Sequence, residues 1–120
     1  MTIDAPKNVP LAEGESVQTR RWANRTQSNL RAAGGRLYLT NQRVIFCPHA
    51  FDAALAGEYW WAQLADIVEV GKAKRDLRQL YGGGLRTRLK IVLRDGTTEL
   101  FVVNKLNAVI EEIRAAAHLS

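Results

Sequence analysis

A long series of short apolar or alternating runs, separated by turn residues, is the feature that most limits how this chain can fold. The series extends from Ser16 to Asn104. Runs of this length, with turn residues between them, are typical of antiparallel strands joined by tight connections. The pattern predicts a mainly β domain of six or seven strands arranged as a meander.

The stretch Leu85–Arg94 is the clearest single strand. Leucine, threonine and isoleucine occupy every second position, and arginine, lysine and valine occupy the positions between them. Alternation of this kind places one set of side chains in the core and the other set on the opposite face. Asp95-Gly96 is a favourable two-residue turn, so Thr97–Val103 is expected to return antiparallel. The sequence predicts a hairpin whose second face is mostly cationic and points to solvent.

The hydrophobic period changes after Asn104. Apolar residues then recur at helical spacing, at Leu106, Val109, Ile110, Ile113 and Ala117. Asn104 is a suitable N-cap for a helix that begins there. The chain is therefore expected to end in one amphipathic helix.

Length and composition predict one globular domain. The chain has 120 residues, of which 47% are hydrophobic and 24% are charged. Residues 1–12 contain two prolines and are expected to form a flexible N-terminal tail, and residues 13–120 the single domain. The one cysteine, Cys47, is interpreted as a small core residue in a reducing cytosol. No segment has the length and hydropathy of a membrane span or of a secretory signal, so a cytoplasmic protein is expected.

A second hairpin is predicted in the middle of the basic N-terminal half. Arg36–Thr40 and Arg43–Pro48 are apolar runs joined across Asn41-Gln42, with Gly34-Gly35 opening the first of them. The core side chains are expected to be Leu37, Leu39, Val44 and Phe46. Thr40 and Asn41 are expected to bend the chain through their own hydrogen bonds, which is a structural role.

This hairpin also resembles a known family signature. Its sequence is Gly35-Arg36-Leu37-Tyr38-Leu39-Thr40-Asn41-Gln42-Arg43-Val44-Ile45-Phe46. It is similar to the G-x-L-x-L-T-x-x-R hairpin of GRAM domains, a pleckstrin-homology-like (PH-like) family. Glu13-Gly14-Glu15, Leu64–Ile67, Asp95-Gly96 and the terminal helix extend the resemblance over Pro10 to Ala117. The resemblance implies a split β-barrel of about seven antiparallel strands capped by the helix, and a module that binds membrane phosphoinositides or protein partners.

Positive charge is concentrated in two blocks. Residues 16–48 carry +6 with no acidic residue, residues 72–94 carry +7, and an acidic block lies between them. Such blocks favour association with an anionic partner. PH domains that hold phosphoinositides place basic residues around the first hairpin, where this chain offers arginines but lacks the closing basic pair. The candidate anionic-surface residues are Arg25, Arg31, Arg36, Lys72, Lys74, Arg75, Arg78, Arg86, Arg88 and Lys90.

Cations alone anchor a domain weakly, since each contributes about 1 kcal/mol near an anionic leaflet. A second, apolar contact is therefore expected with a membrane or a partner. The candidates are Phe51, Leu55, Trp60 and Trp61. Consecutive tryptophans in a strand are expected to send one ring into the core and leave the other at a subunit contact.

The favoured function is a non-catalytic adaptor that engages an anionic membrane surface or a protein, peripheral at the inner membrane face. The alternative is a pure protein-interaction or self-association module, including a homo-oligomer, that uses Trp60-Trp61 or an unpaired strand edge. Twelve arginines against five lysines suggest a bacterial source, which favours that alternative. Nucleic-acid binding is disfavoured because no recognition motif is present. No enzyme, cofactor or metal site is predicted, because neither Cys47 and His49 nor Gly82-Gly83-Gly84 match a catalytic or phosphate-binding pattern.

Overall fold

The computed structural model describes residues 5–6, 8–28, 31–49, 57–75 and 86–119. Within these ranges the chain forms seven strands, a short 3-10 turn and a C-terminal helix. The elements are β1 (Val17–Ser28), β2 (Arg31–Thr40), β3 (Arg43–Pro48), β4 (Trp60–Gln63), the 3-10 turn (Leu64–Asp66), β5 (Ile67–Ala73), β6 (Arg88–Leu93), β7 (Thr98–Val103) and α1 (Leu106–Ala116).

The strands form one open antiparallel sheet. Its order is β4-β3-β2-β1-β7-β6-β5, so the long strand β1 pairs with β2 on one side and β7 on the other. One large core cluster contains buried residues from six of the strands together with Val109 and Ile113 of α1, which indicates that the sheet curves around this apolar face. Seven antiparallel strands with one C-terminal helix confirm the predicted fold class.

Aromatic rings from both halves of the sheet meet at the centre of the core. The Phe101 ring centroid lies 5.8 Å from that of Phe46 and 5.5 Å from that of Trp60. All four residues predicted for the core face of the second hairpin are buried in this cluster, namely Leu37, Leu39, Val44 and Phe46. The core therefore joins β3 and β4 to β7 through tilted aromatic contacts.

The hairpin of β2 and β3 forms at the predicted turn, but β2 begins earlier than predicted. Gly34 and Gly35 lie inside the strand rather than at its opening. Gly35 pairs with Pro48, and a Cβ at Gly35 would lie 2.2 Å from the carbonyl oxygen of Cys47. The close approach of the two backbones requires a glycine at this position.

The helix is present as predicted, with Val109 and Ile113 turned into the core. Its predicted N-cap is wrong. The capping position is occupied by Lys105, which has a left-handed backbone (φ 54°) and no side-chain cap hydrogen bond. Asn104 instead follows the end of β7, so its side chain is available for other contacts.

Part of the predicted N-terminal tail is packed in the structure. Val9 is 3% exposed and forms a second apolar cluster with Tyr38 and Ile45, on the face of β2 and β3 opposite the main core. Residues 8–12 therefore belong to the folded domain, while residues 1–4 and 7 lie outside the described residues. Cys47 packs against this cluster, and burial raises the pKa of its thiol to about 11. A thiol with such a pKa is a poor nucleophile at neutral pH.

Candidate functional site

The polar residues at the turn of the β2–β3 hairpin hold the N-terminal segment in place. The hydroxyl oxygen of Thr40 accepts hydrogen bonds from the backbone N–H groups of Gln42 (3.0 Å) and Arg43 (2.8 Å). The same hydroxyl donates to Glu15 at 2.7 Å. Arg43 donates to both carboxylate oxygens of Glu15 and to the carbonyl of Pro10. Thr40 thus has the structural role that its position in the turn predicted, and Arg43 shares that role.

Electrostatics strengthens this buried contact. Hydrogen bonds from the Arg43 guanidinium lower the pKa of Glu15 to about 2, and they outweigh the burial that acts in the opposite direction. The N–H of Ala12 and the hydroxyl of Thr40 add to the lowering. The same contact raises the pKa of Arg43. Both groups stay charged across the physiological range and are fully engaged with each other.

The arginines of the first basic block do not form one cluster in the structure. Arg25 is buried, donates to Glu99 at 2.8 Å and lies 3.8 Å from Glu58. Arg36 stacks on the Trp22 ring, with its guanidinium carbon 4.5 Å from the ring centroid. Arg31 is half-buried. Arg25 lies on the same face of β1 as the core residue Ala23, whereas Arg36 stacks on Trp22 on the other face, so these two arginines do not share one site.

The second basic block is also divided. Arg88 is 1% exposed and donates to the hydroxyl of Thr26 at 3.1 Å. Lys90 pairs with Glu69 at 2.6 Å. The prediction that Arg88 faces solvent is wrong, because strict alternation distinguishes the two faces of a strand but not what covers each face. Burial leaves Arg88 no surface for an extended anionic partner.

Four other cations of this block remain exposed at one end of the β5–β6 pair. Lys72, Lys74 and Arg75 lie at and beyond the end of β5, and Arg86 lies just before β6. Ala73 pairs with Arg88, so the residues that continue each strand lie at the same end of the hairpin. None of the four forms an ion pair with another residue that the structure describes. These four residues are hereafter the cationic end, and Arg78 lies outside the described residues.

A groove adjoins the cationic end and crosses the outer face of β2, β1 and β7. Its volume is about 480 Å³, and Arg86 is one of its lining residues. Trp22 and Asn24 point outward from β1, and Asn24 pairs with Gly34 on one side and Val102 on the other. The other polar lining residues are His49 and Asn104. This set is hereafter the outer groove, and the described residues that line it include no acidic side chain.

The two consecutive tryptophans divide as predicted. Trp60 is partly buried against the core, whereas Trp61 is 51% exposed on the outer face of β4. The Arg43 guanidinium carbon lies 5.6 Å from the Trp61 ring centroid. Tyr59 is also exposed, and its hydroxyl accepts a hydrogen bond from Asn8 at 3.1 Å. Phe51 and Leu55, the other predicted apolar contacts, lie outside the described residues.

The most exposed tryptophan, Trp22, was missed by the sequence-based predictions. It is 61% exposed, more than either of the two tryptophans that were predicted to make contacts. Its position among polar residues in the basic stretch Gln18–Arg25 is the signal that could have identified it. Apolar residues on the outer face of a strand stand out only when the strand and its register are known.

The described residues contain no group of three or more His, Cys, Asp or Glu side chains placed to hold a metal ion. Within the same part of the chain, no helix is long and apolar enough to cross a membrane. The candidate site is a surface made of the cationic end and the outer groove.

Comparison with known proteins supports the fold. No protein-family model matches the sequence. No curated protein matches it either. Among solved structures, the C-terminal domain of an unknown protein from Leishmania infantum superposes with a TM-score of 0.66 at 11% identity, covering 88% of this chain and 87% of that one. The Vps36 N-terminal PH domain superposes with a TM-score of 0.63 at 18% identity, covering 91% and 83% of the two chains.

At these identities the likeness defines the fold, and this chain has the PH-like fold. The strand order, the C-terminal helix and the curved sheet agree with that likeness. A shared fold does not by itself define what a protein binds or does. The particular surface has to be argued from the residues of this chain.

Proposed function

We propose that this chain is a divergent GRAM-type domain and a non-catalytic adaptor, cytoplasmic and peripheral at the inner membrane face, where its cationic end contacts an anionic surface. One observation carries this proposal. Lys72, Lys74, Arg75 and Arg86 are exposed at one end of the β5–β6 pair without an ion pair to any described residue. Neighbouring cations of this kind raise the local potential and attract anionic lipid.

The attraction is expected to be weak and sensitive to salt. Each exposed Lys or Arg contributes about 1 kcal/mol near an anionic leaflet, so the four together give a binding free energy of about 4 kcal/mol. Exposed charges are screened over about 8 Å at physiological ionic strength. The domain would therefore associate reversibly, and firm anchoring requires a second contact or avidity.

Co-sedimentation with liposomes tests this proposal. Wild-type protein is mixed with neutral and with phosphatidylserine-containing liposomes, each at low and at physiological salt. Binding is expected only with the anionic liposomes and is expected to fall as salt rises. The charge reversal Lys74→Glu should weaken this binding severalfold, whereas Arg20→Glu, an equal charge change on an exposed residue of β1, should not.

If Lys74→Glu and Arg20→Glu lose liposome binding equally, binding depends on net charge alone. The cationic end would then not be a binding site. Wild-type protein that never sediments with anionic liposomes would contradict the membrane proposal as a whole. Thermal unfolding of both variants serves as the folding control.

A protein-binding or self-association role is the second candidate, and it is favoured by the exposed tryptophan on β4. Trp61 is 51% exposed, and β4 lies at one end of the strand order, where a sheet can accept a further strand. Sedimentation velocity at increasing protein concentration tests self-association. A mass that rises toward a dimer in the wild type, but not in Trp61→Ala, would favour this function over the membrane adaptor.

A further inference from the structure

We infer that the outer groove is a docking site for an extended, acidic peptide segment of a protein partner. The inference goes beyond membrane association and shares only Arg86 with the cationic end. It depends on the shape of the groove, the sign of its charge, its hydrogen-bonding groups and its exposed tryptophan.

The groove has the size and position of a binding site for a chain in extended conformation. Its volume of about 480 Å³ lies in the usual range for ligand sites, and it crosses three strands of the sheet. Gly34 has no side chain, which keeps the surface beside Asn24 low. Trp22 and Arg86 are both among its lining residues. A groove that crosses several neighbouring strands suits an extended peptide better than a compact molecule.

The charge of the groove favours an acidic occupant. Arg86 and His49 line it, and Arg36 lies over the Trp22 ring at its edge. The described lining residues include no carboxylate, so an aspartate or glutamate that entered would meet the Arg86 guanidinium without repulsion from a like charge among them. Complementary charge selects partners and accelerates their association.

Two carboxamide side chains supply the groups that a peptide backbone needs. Asn24 projects from β1, and Asn104 follows β7, so both reach the groove. Each carboxamide offers one acceptor and two donors, which matches the N–H and C=O groups of a peptide unit. Val102, the register partner of Asn24 on β7, also lines the groove. An acidic peptide offers both kinds of group that this groove can bind. Its side-chain carboxylates would pair with the cations, and its main-chain amides would hydrogen-bond with the asparagines.

Trp22 has the properties of an interface anchor. It is 61% exposed, and the stacked Arg36 guanidinium restrains its ring before any partner arrives. Large aromatic residues held in this way frequently dominate the energetics of a protein interface. Val102 and Val103 line the groove and are buried, so a flat bilayer would not reach them, which favours a peptide over a membrane surface.

An array of short synthetic peptides of random sequence, graded from acidic to basic, tests the inference with the full chain as the probe. Bound peptides should be enriched in Asp and Glu, and replacing those residues by Asn and Gln should abolish binding. The best acidic peptide is then synthesised and titrated in solution. Trp22→Ala should weaken its binding at least about tenfold, as expected for an aromatic anchor. Asn24→Ala should weaken it severalfold.

Trp61→Ala is the matched control, because it removes an exposed tryptophan outside the groove and should leave peptide binding unchanged. In the NMR spectrum of the ¹⁵N-labelled protein, the same peptide should shift the indole N–H signal of Trp22 and not that of Trp61. This readout does not depend on any variant folding correctly.

Three outcomes would overturn the inference. These are no bound peptides, bound peptides without acidic enrichment, or a Trp22 indole signal that anionic liposomes shift and the acidic peptide does not. Lys74→Glu separates the two proposals, since it should impair liposome binding and leave peptide binding intact. If the wild-type protein binds anionic liposomes but no acidic peptide, the inference about the groove is contradicted and the membrane proposal is not.

Discussion

Arg43 and Glu15 form a two-point contact between the turn of the β2–β3 hairpin and the segment that precedes β1. The guanidinium donates from Nε at 2.9 Å and from one terminal nitrogen at 2.7 Å, each to a different carboxylate oxygen. The Glu15 side chain is fully buried and that of Arg43 nearly so. The contact ties residues 8–15 to the sheet, and in doing so it covers the second apolar cluster.

Removing one partner of this pair is expected to destabilise the domain strongly. Arg43→Ala leaves a buried carboxylate without its counter-ion, so the free energy of unfolding should fall by about 3 kcal/mol or more. Urea denaturation measures the loss. Glu69→Gln, which breaks the more exposed Lys90–Glu69 pair, is the control and should cost no more than about 1 kcal/mol. Similar losses in the two variants would show that the buried contact has no special role.

The same pair predicts how stability depends on pH. Glu15 has a pKa of about 2 in the folded chain against an ordinary value of 4.5, so the unfolded chain binds its proton first as the pH falls. The contribution is fully present above about pH 5, decreases as the pH falls toward 2, and amounts to about 3 kcal/mol in total. Unfolding free energies of wild type and Glu15→Gln, measured between these limits, should converge as acid is added. A constant difference between the two would contradict the assignment.

Position 35 is expected to tolerate no residue other than glycine. Gly35→Ala would place a methyl group 2.2 Å from the carbonyl oxygen of Cys47 and 2.7 Å from the Cα of Pro48, so β3 would have to move. A loss of about 1 to 3 kcal/mol is expected from this overpacking, measured by thermal unfolding. Gly71→Ala in β5 is the control, because its Cβ would meet nothing within 4 Å. It should be neutral or slightly stabilising. A harmless Gly35→Ala would mean that the two strands are not in such close contact.

Charge reversal is expected to destabilise the domain strongly at Arg88 and hardly at all at Arg86. Arg88→Glu would bury an acidic group where a guanidinium is 1% exposed, so it should lower the free energy of unfolding by about 3 kcal/mol or more. Arg86→Glu, at an exposed position, should change stability by less than about 0.5 kcal/mol. Urea unfolding of both proteins decides the matter. Equal unfolding free energies for the two variants would contradict the burial of the Arg88 side chain.

Local sequence patterns were sufficient to predict the hairpins and the helix. The turn at Asn41-Gln42, the turn at Asp95-Gly96 and the helical spacing after Asn104 all predicted elements that the structure contains. Turn chemistry and hydrophobic period act over a few residues, so they can be recognised without knowledge of distant contacts. The helix N-cap was wrong because Lys105 adopts a left-handed backbone that no local pattern indicated.

The sequence by itself determined the fold class, the two basic blocks and the apolar positions that make the core. Only the tertiary structure decided which cations are free to bind. Arg25 meets Glu99 and Arg88 meets Thr26 across strands that lie far apart in the chain, and both arginines are thereby buried. Exposure depends on what covers each face of the sheet, which is a property of long-range packing. The same packing left Trp22 exposed on a groove that Arg86 also lines, and alternation along one strand does not reveal such a groove.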